Sequence, residues 1–487
     1  MGLSENAEII TGQPHRTDGF SSPVSFEHPR PCEVPCLWLT DPQWLDLSEQ
    51  ILNRLRGRMT LIQPAAERRQ KIIEALEALY DEPDHPHLLV LPSQAARDDF
   101  VEQFLSYDLI EDLLHDPTVE DIMINGTESI FVHKTGQGSV RIDRRFPTTR
   151  ALAVFVKKLV ILAGRSEVDP LNDVELAGIP GRVNIAQSPF GPQITITRAK
   201  EQPLSIVDLI RSGMLTEELA AQLWVYVEGL CVKPANLVIS GGPGSGKTTL
   251  LNALFSFLPS CERLVVIEDT LELNTQFVEN CSRLESCRRV KMAALVKNSL
   301  RMRPDRIVVG EVRGEEARDL MTAVNVGKYC LGTLHASTAR ETVMRLQNEP
   351  MNVPPLLVSL VDVFVILRRL MKGNTVTRVV GEVVETAGLE QGTVLLSSLW
   401  TYDVGRARLV ESAPGSVYRE RLAQASGLSP IGVMEETLRR TRLLRLMQRQ
   451  TPPSPIDQVA RICQQYLKDP EQAVKSLGGT MKQLLKG

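Results

Sequence analysis

The chain has little of what marks several protein classes: few aromatic residues, no long apolar run and no surplus of basic charge. Phe, Trp and Tyr make up 5% of its 487 residues, and the formal net charge is -4. No global basic field therefore draws the chain to nucleic acid or anionic lipid. The most apolar run, at 355–367, is too short to span a bilayer, and Asp362 interrupts it.

The sequence also lacks the marks of an exported protein. Its opening residues, MGLSENAEII, contain no basic segment followed by an apolar core, so they do not read as a secretory signal. Its cysteines are scattered rather than regularly spaced, which fits a reducing compartment better than a disulfide framework. Cys32 and Cys36, with His28 nearby, would make half a metal site, but zinc usually needs four well-spaced ligands, so unrelated thiols are favoured. We expect a cytoplasmic protein.

The composition is otherwise that of an ordinary globular chain, and its length suggests several domains. Residues 1–100 form a variable N-terminal region, 101–205 a small α+β domain, 206–235 a helical linker, 236–385 an α/β domain and 386–487 a helical C-terminal region. The α/β assignment rests on short apolar runs that alternate with helical segments from Asn236 onward, a pattern typical of a mostly parallel sheet. Functional residues should then gather at the carboxyl ends of the strands.

A phosphate-binding loop is the strongest motif. LVIS-GGPGSGKTT-LLNAL matches G-x-x-x-x-G-K-[ST] and has the preceding strand and following helix that the motif requires. Glycines let the backbone N–H groups turn toward a β-phosphate, Lys247 would reach the β- and γ-phosphates, and the hydroxyl of Thr248 would ligate magnesium. The predicted ATP-binding residues are Gly241, Gly242, Pro243, Gly244, Ser245, Gly246, Lys247, Thr248 and Thr249.

Two apolar strands behind this loop each end in acidic residues. LVVIEDTLEL places Glu268, Asp269 and Glu272 after one strand, and RIVVGEVRG places Glu311 after another. A P-loop ATPase needs one carboxylate near its magnesium ion and one to polarise the attacking water. A single acidic residue at a strand end would be read as an ordinary surface residue. Two strands that end in acids, both after a phosphate-binding loop in the chain, favour a role in ATP hydrolysis. We assign Glu268 and Glu311 to catalysis and, with Thr248 and partly through water, to magnesium.

One histidine and two arginines complete the candidate site. Six of the seven histidines lie at or before position 133, so His335, in CLGTLHAST, is the only one in the α/β region. A lone histidine is more often structural, but a position at a strand end favours a sensor of the γ-phosphate. Arg182 and Arg198, in the small domain, are candidate arginine fingers that would stabilise transition-state charge.

Together these motifs resemble the secretion ATPase superfamily of type II and type IV secretion systems, type IV pili and archaella. The resemblance rests on GGPGSGKTTLLNAL, IEDTLEL, LRMRPDRIVVGEVRG and GTLHAST, with LLHDPTVEDIMING upstream, and covers residues of about 105 to 385. The tail, from SLWTYDV to YLKDPEQAVKSL, is similar to archaeal filament ATPases and their bacterial tight-adherence relatives.

The resemblance implies a RecA-like P-loop NTPase core with a smaller α+β N-terminal domain and a helical C-terminal tail. It also implies a homohexamer at the inner face of the membrane that turns ATP hydrolysis into movement of an integral membrane platform protein. Lys247 and Thr248 would bind ATP and Mg²⁺, Glu268 would lie in the family's Asp box, Glu311 would be the Walker B glutamate, and His335 the His-box histidine. Arg182 and Arg198 match the family's arginines in GSR and TIR segments.

Three features depart from the family pattern. Gly327-Lys328 stands where many members have Gly-His, so a second His-box contact is in doubt. The strand around Arg198 reads ITITRAK where many members read FTIRKF, and we see no four-cysteine zinc module of the kind found in some pilus extension ATPases.

Two other functions compete with a mechanochemical ATPase. Residues 282–306 contain eight basic residues against Glu285 and Asp305, a bias that suits a nucleic-acid translocase with a RecA-like core. No aromatic stacking platform accompanies them, so no nucleic acid is expected. A slow, nucleotide-dependent assembly switch is the other possibility. The arginine-rich helix from Ser429 to about Gln450 favours a solvated or packing face over a surface for an acidic partner or lipid.

Overall fold

A computed structural model describes residues 37–61, 63–81, 89–134, 137–179, 181–198, 203–287, 289–372, 375–412 and 415–485. His28, Cys32 and Cys36 lie outside these residues, so the half metal site stays a prediction. No helix in these ranges combines the length and the apolarity needed to cross a membrane.

Helices flank two sheets. The described α-helices are α1 (Pro42–Leu55), α2 (Ala65–Tyr80), α3 (Gln94–Leu105), α4 (Glu111–His115), α5 (Thr149–Leu162), α6 (Ile206–Arg211), α7 (Glu217–Glu228), α8 (Lys247–Leu254), α9 (Met292–Ser299), α10 (Glu316–Asn325), α11 (Ala339–Gln347), α12 (Pro355–Val358), α13 (Val417–Ser426), α14 (Pro430–Gln448), α15 (Ile456–Lys468), α16 (Pro470–Ser476) and α17 (Met481–Leu485). Short 3-10 helices lie at Leu37–Thr40, Asp108–Ile110, Gly229–Cys231, Phe255–Phe257 and Leu300–Met302.

The six described strands before residue 200 form one sheet, and the nine described strands after it form the other. The first sheet holds β1 (Val119–Asn125), β2 (Ser129–Lys134), β3 (Gly138–Ile142), β4 (Leu171–Glu175), β5 (Gly181–Ala186) and β6 (Gln193–Arg198). The second holds β7 (Leu237–Gly241), β8 (Leu264–Glu268), β9 (Cys281–Glu285), β10 (Arg306–Val309), β11 (Tyr329–Leu334), β12 (Val363–Lys372), β13 (Thr375–Glu390), β14 (Thr393–Asp403) and β15 (Arg408–Glu411).

The N-terminal sheet is antiparallel, in the order β3-β2-β1-β6-β5-β4. Its strands alternate buried and exposed residues, as a sheet with one covered face requires. Leu47 and Ile51 of α1 share one hydrophobic core with Phe155 of α5 and Ile122 of β1. The expected boundary at residue 100 therefore runs through a single core, because helices of the variable region cover the α+β sheet.

The larger sheet has the order β15-β14-β13-β12-β7-β11-β10-β8-β9. From β12 to β9 all neighbours pair in parallel. Strands β7, β8 and β10 are buried along their whole length, which explains their continuous apolar runs. Strand β11 lies between β7 and β10, so the strand before the phosphate loop and the strand before Glu311 are not neighbours.

The C-terminal region is helical, but only from Val417 onward. Residues 386–411, expected to be helical, instead continue β13 and form β14 and β15. The segment TVLLSSLWTYD is rich in β-branched and aromatic residues, which favour a strand over a helix. Helix α14 begins as expected, with the side chain of Ser429 accepting a hydrogen bond from the backbone N–H of Gly432 and with Pro430 in the first turn.

Candidate active site

The phosphate-binding loop connects β7 to α8 and needs its glycines. Gly244 and Gly246 have φ angles of 66° and 96°, a left-handed backbone that other residues rarely adopt. A Cβ atom at Gly241 would lie 2.5 Å from Oγ of Ser245 and 2.8 Å from the carbonyl oxygen of Leu367. Only glycine fits these positions, so the backbone can form the tight cradle that a phosphate chain requires.

Lys247 begins α8 and folds back over the loop. Its Nζ donates hydrogen bonds to the carbonyl oxygens of Gly241, at 3.1 Å, and of Gly242, at 3.2 Å. The same nitrogen lies 3.2 Å from Nδ1 of His335. The ammonium is therefore held at the mouth of the loop, where it would meet the terminal phosphates of ATP.

His335 connects Lys247 to the acid at the end of β10. Its Nε2 lies 2.7 Å from Oε1 of Glu311, and the other carboxylate oxygen of Glu311 accepts a hydrogen bond of 2.7 Å from Arg313. Arg313 also lies 3.9 Å from Asp269, beyond the end of β8. We call Lys247, His335, Glu311 and Arg313 the charge relay. Sequence reasoning missed Arg313, whose only signal is its position two residues after Glu311.

The strand order explains this arrangement. Since β11 lies between β7 and β10 and runs parallel to both, its carboxyl end delivers His335 between the residues that follow the two outer strands. Lys247 and Glu311 are 64 positions apart along the chain and His335 lies 24 positions beyond Glu311, and the parallel sheet brings all three to one edge.

Burial and the neighbouring charges act in opposite directions on the pKa values of Lys247, His335 and Glu311. Burial lowers the pKa of Lys247 and that of His335, in each case against the attraction of Glu311. Burial pushes the pKa of Glu311 upward, but the hydrogen bond and charge of Arg313, with the charges of His335 and Lys247, hold it below its usual value. The carboxylate is thus ionised at neutral pH and the imidazole is neutral.

Glu268, assigned from the sequence to catalysis and magnesium, forms its hydrogen bonds with the loop that follows β8. Its side chain is buried, and Oε1 accepts hydrogen bonds of 3.0 Å from the backbone N–H groups of Glu272 and Leu273. The second oxygen lies 3.5 Å from Arg283, and burial raises the pKa of Glu268 to about 7. The carboxyl group of Glu268 therefore bonds to the loop that follows β8, because the chain turns back over the end of that strand.

Glu272, in the same acidic box, lies within the electrostatic influence of Glu311, Arg313 and Lys247. Its side chain is 46% exposed and lies 3.8 Å from Arg182 of β5. Burial raises the pKa of Glu272, with Arg182, Glu311, Arg313 and Lys247 as the charges that act on it. The sequence placed Glu272 in the box, but nothing in the pattern distinguished it from Glu268.

The two candidate arginine fingers occupy opposite faces of the N-terminal sheet. Arg182 pairs directly with Thr197, the residue before Arg198. Paired residues share a face of the sheet, and successive residues of a strand point to opposite faces, so Arg182 and Arg198 lie on opposite faces. Arg182 therefore reaches Glu272. Arg198 instead donates hydrogen bonds to the backbone carbonyls of Asp116 and Val119, where it ties the end of α4 to the start of β1.

The residues present fit a magnesium ion that is shared with a phosphate chain. Thr248, in the first turn of α8, and Glu311 supply oxygen donors, the type that Mg²⁺ prefers. No group of three or more His, Cys, Asp or Glu in the described residues is arranged to hold a metal alone. That agrees with a magnesium ion bound by one or two side chains, water and substrate phosphates.

Comparison with known proteins identifies the family. Residues 105–451 match the family described as Type II/IV secretion system protein. The chain belongs to this family of secretion ATPases. The RecA-like α/β core expected for such an ATPase is confirmed, as are the smaller α+β N-terminal domain and the helical C-terminal region.

Several individual relatives support the assignment. The chain is 33% identical to the conjugal transfer protein TrbB of Rhizobium radiobacter, over 55% of this chain and 84% of TrbB. It is 38% identical over 45% of its length to the uncharacterized protein MJ0781 of Methanocaldococcus jannaschii, and 31% identical over 69% to MJ0900 of the same organism. It spans only 32% and 63% of those two relatives.

Solved structures similar to this one are more distant. The ATPase DotB of Legionella pneumophila is 19% identical, with 69% of this chain and 86% of DotB covered and a TM-score of 0.42. The pilus retraction motor PilT is 18% identical, with 68% of this chain and 90% of PilT covered and a TM-score of 0.41.

Proposed function

We propose that this chain hydrolyses ATP at the phosphate-binding loop and, as a homohexamer, drives an integral membrane platform protein of a pilus, an archaellum or a secretion system. It would act from the cytoplasm, bound peripherally to the inner face of the membrane. The observation that carries the proposal is the charge relay, in which the ammonium of Lys247 is connected through His335 to Glu311.

Each residue of the site has a distinct task in this proposal. Lys247 and the backbone N–H groups of the loop would hold the β- and γ-phosphates, and Thr248 and Glu311 would hold a Mg²⁺ ion, which would supply positive charge against those phosphates. Glu272 orients the attacking water, and Arg182 stabilises the charge that develops in the transition state. Glu268 supports Glu272 through its two hydrogen bonds to the following backbone.

Coupling to mechanical work would come from movement of the N-terminal sheet. Arg182 of β5 meets Glu272, and Arg165, after α5, lies 3.3 Å from Glu285 of β9. These two ion pairs join the N-terminal sheet to the nucleotide edge of the larger one. A change of charge in the nucleotide site would act directly on the first pair, which gives hydrolysis a route to domain motion.

Phosphate release by the purified chain tests the proposal. Lys247→Ala should abolish hydrolysis, while Lys297→Ala, a matched change at a side chain that is 69% exposed, should leave it intact. Light scattering with a non-hydrolysable ATP analogue should report six times the chain mass of 54.1 kDa. Normal turnover by Lys247→Ala would refute the assignment of the loop.

The structure gives less support to a nucleic-acid translocase. Three cations of the basic segment already meet acids: Arg283 with Glu268, Lys297 with Asp319, and the buried Arg306 with Glu262. These contacts reduce the positive charge available to a phosphate backbone. DNA that stimulated turnover with a steep dependence on salt would nevertheless reverse this judgement.

A further inference from the structure

Two arginines face each other beside the phosphate-binding loop. Arg369 of β12 and Arg378 of β13 are directly paired in the antiparallel register. Both are exposed, and within the described residues neither guanidinium has an acidic side chain at ion-pair distance. Like charges directly opposite each other destabilise a strand pair, so an anion between them would relieve the repulsion.

The pair is attached to the outer surface of the loop. Nε of Arg378 donates a hydrogen bond of 2.9 Å to the carbonyl oxygen of Gly244. A Cβ atom at Gly246 would lie 3.7 Å from Cδ of Arg378, and one at Gly244 would lie 3.9 Å from Nη1 of Arg369. The hydrogen bond uses only Nε, and no other described residue bonds the terminal nitrogens of Arg378, which can therefore contact a ligand that occupies the loop.

The strand order indicates which end of a nucleotide would reach the pair. The charge relay lies on the β11 and β10 side of β7, where the terminal phosphate would be cleaved. The hairpin of β12 and β13 lies on the opposite side of β7. A nucleotide held by its β- and γ-phosphates at the relay would therefore extend its nucleoside end toward Arg369 and Arg378.

We propose that Arg369 and Arg378 form a subsite for the α-phosphate of the bound nucleotide, with Arg378 as the principal contact. The inference rests on the proposed function of the loop. A planar guanidinium matches the geometry of phosphate oxygens, and a charge-assisted hydrogen bond is stronger than a neutral one. The contact is equal in the ground and transition states, so it sets nucleotide affinity and not turnover.

Titration of the full-length chain with ADP and with inorganic phosphate tests the proposal. Arg378→Gln should weaken ADP binding by about tenfold or more and leave binding of inorganic phosphate unchanged, because a single phosphate fills the β-phosphate position of the loop and has no second phosphoryl group to reach Arg378. Arg369→Gln should weaken ADP binding less. Arg408→Gln, the same change on β15 of this sheet, is the matched control. In turnover assays, Arg378→Gln should raise KM for ATP and preserve kcat.

Three results would overturn the subsite. ADP affinity equal to that of the unaltered chain would remove the phosphate contact. A parallel loss of ADP and inorganic phosphate binding would show that the substitution damages the loop itself. Unchanged affinity with loss of the oligomer would mean that the pair meets an acidic side chain of a second copy. An unaltered chain that bound no ADP would instead refute the proposed function.

Discussion

Nζ of Lys247 lies 3.2 Å from Nδ1 of His335. An ammonium only donates hydrogen bonds, so Nδ1 must be the unprotonated, accepting nitrogen of the ring. In the neutral imidazole the proton is then on Nε2, which faces Oε1 of Glu311 at 2.7 Å. This tautomer agrees with the lowered pKa of His335, whose largest cause is burial. His335 thus contacts both the lysine of the loop and the carboxylate of Glu311.

The first prediction concerns His335→Gln. Glutamine cannot bridge Lys247 and Glu311 with the same two nitrogens, so kcat should fall by roughly 10²-fold or more, while ADP affinity changes little. Steady-state hydrolysis assays measure kcat, and titration with ADP measures the ADP affinity. His133→Gln, at an exposed histidine of the N-terminal sheet, serves as the control. An equal fall in ADP affinity would contradict a role confined to hydrolysis.

The second prediction is an acid limb in the pH profile of kcat. Since burial lowers the pKa of His335, the ring stays neutral at pH 7, and its protonation should reduce the rate only below the ordinary histidine pKa of about 6.5, in addition to the loss from protonation of Glu272, whose pKa burial raises. At lower pH the protonated Nδ1 can no longer accept from Lys247, and the rate should fall. His335→Gln should lack this limb. The same limb in the variant would assign the titration to another group.

The features that could be predicted from the sequence are those formed by residues close together along the chain. The phosphate loop is a contiguous motif flanked by its strand and helix, and the acids and His335 follow apolar runs that can only be buried strands. The contact between His335 and Glu311 was not predictable from spacing, because it depends on β11 lying between β7 and β10. Arg378 was missed for the same reason, since only the register of β12 and β13 brings it to Gly244.

The direction in which each side chain points was also not predictable from the sequence. Glu268 and Glu272 are the same residue type, four positions apart, yet one carboxyl group accepts hydrogen bonds from the following loop and the other lies 3.8 Å from Arg182. Arg182 and Arg198 match the family's motifs equally well, but their registers in β5 and β6 differ by one position and send them to opposite faces. Residue type does not show which face of a sheet a side chain occupies, and a one-residue difference in register moves the side chain to the other face.

The third prediction separates the two acids of the box. Glu272→Gln should lower kcat by roughly 10²-fold or more, because an amide cannot take a proton from the attacking water. Glu268→Gln keeps an oxygen that accepts the backbone hydrogen bonds and should retain most of the activity. Both variants are compared in steady-state hydrolysis, with urea unfolding to monitor stability. If Glu268→Gln were as inactive as Glu272→Gln and equally stable, Glu268 would act directly in catalysis.

The fourth prediction concerns the arginine-rich helix α14, where the structure favours packing over a surface for an acidic partner. Arg440 is buried, lies 2.8 Å from the buried Glu228 and stacks 4.9 Å from the ring centre of Trp224. Arg440→Ala leaves Glu228 charged and unpaired, and should lower the free energy of unfolding by about 3–5 kcal/mol.

Its neighbour Arg439 provides the control, because its side chain is 40% exposed and its ion pair with Glu436 is screened by water. Arg439→Ala should cost less than about 1 kcal/mol in the same urea titration. The double variant Glu228→Gln, Arg440→Met removes both buried charges and should recover part of the lost stability. Equal costs for the two single variants would show that the buried pair does not anchor α14 to α7.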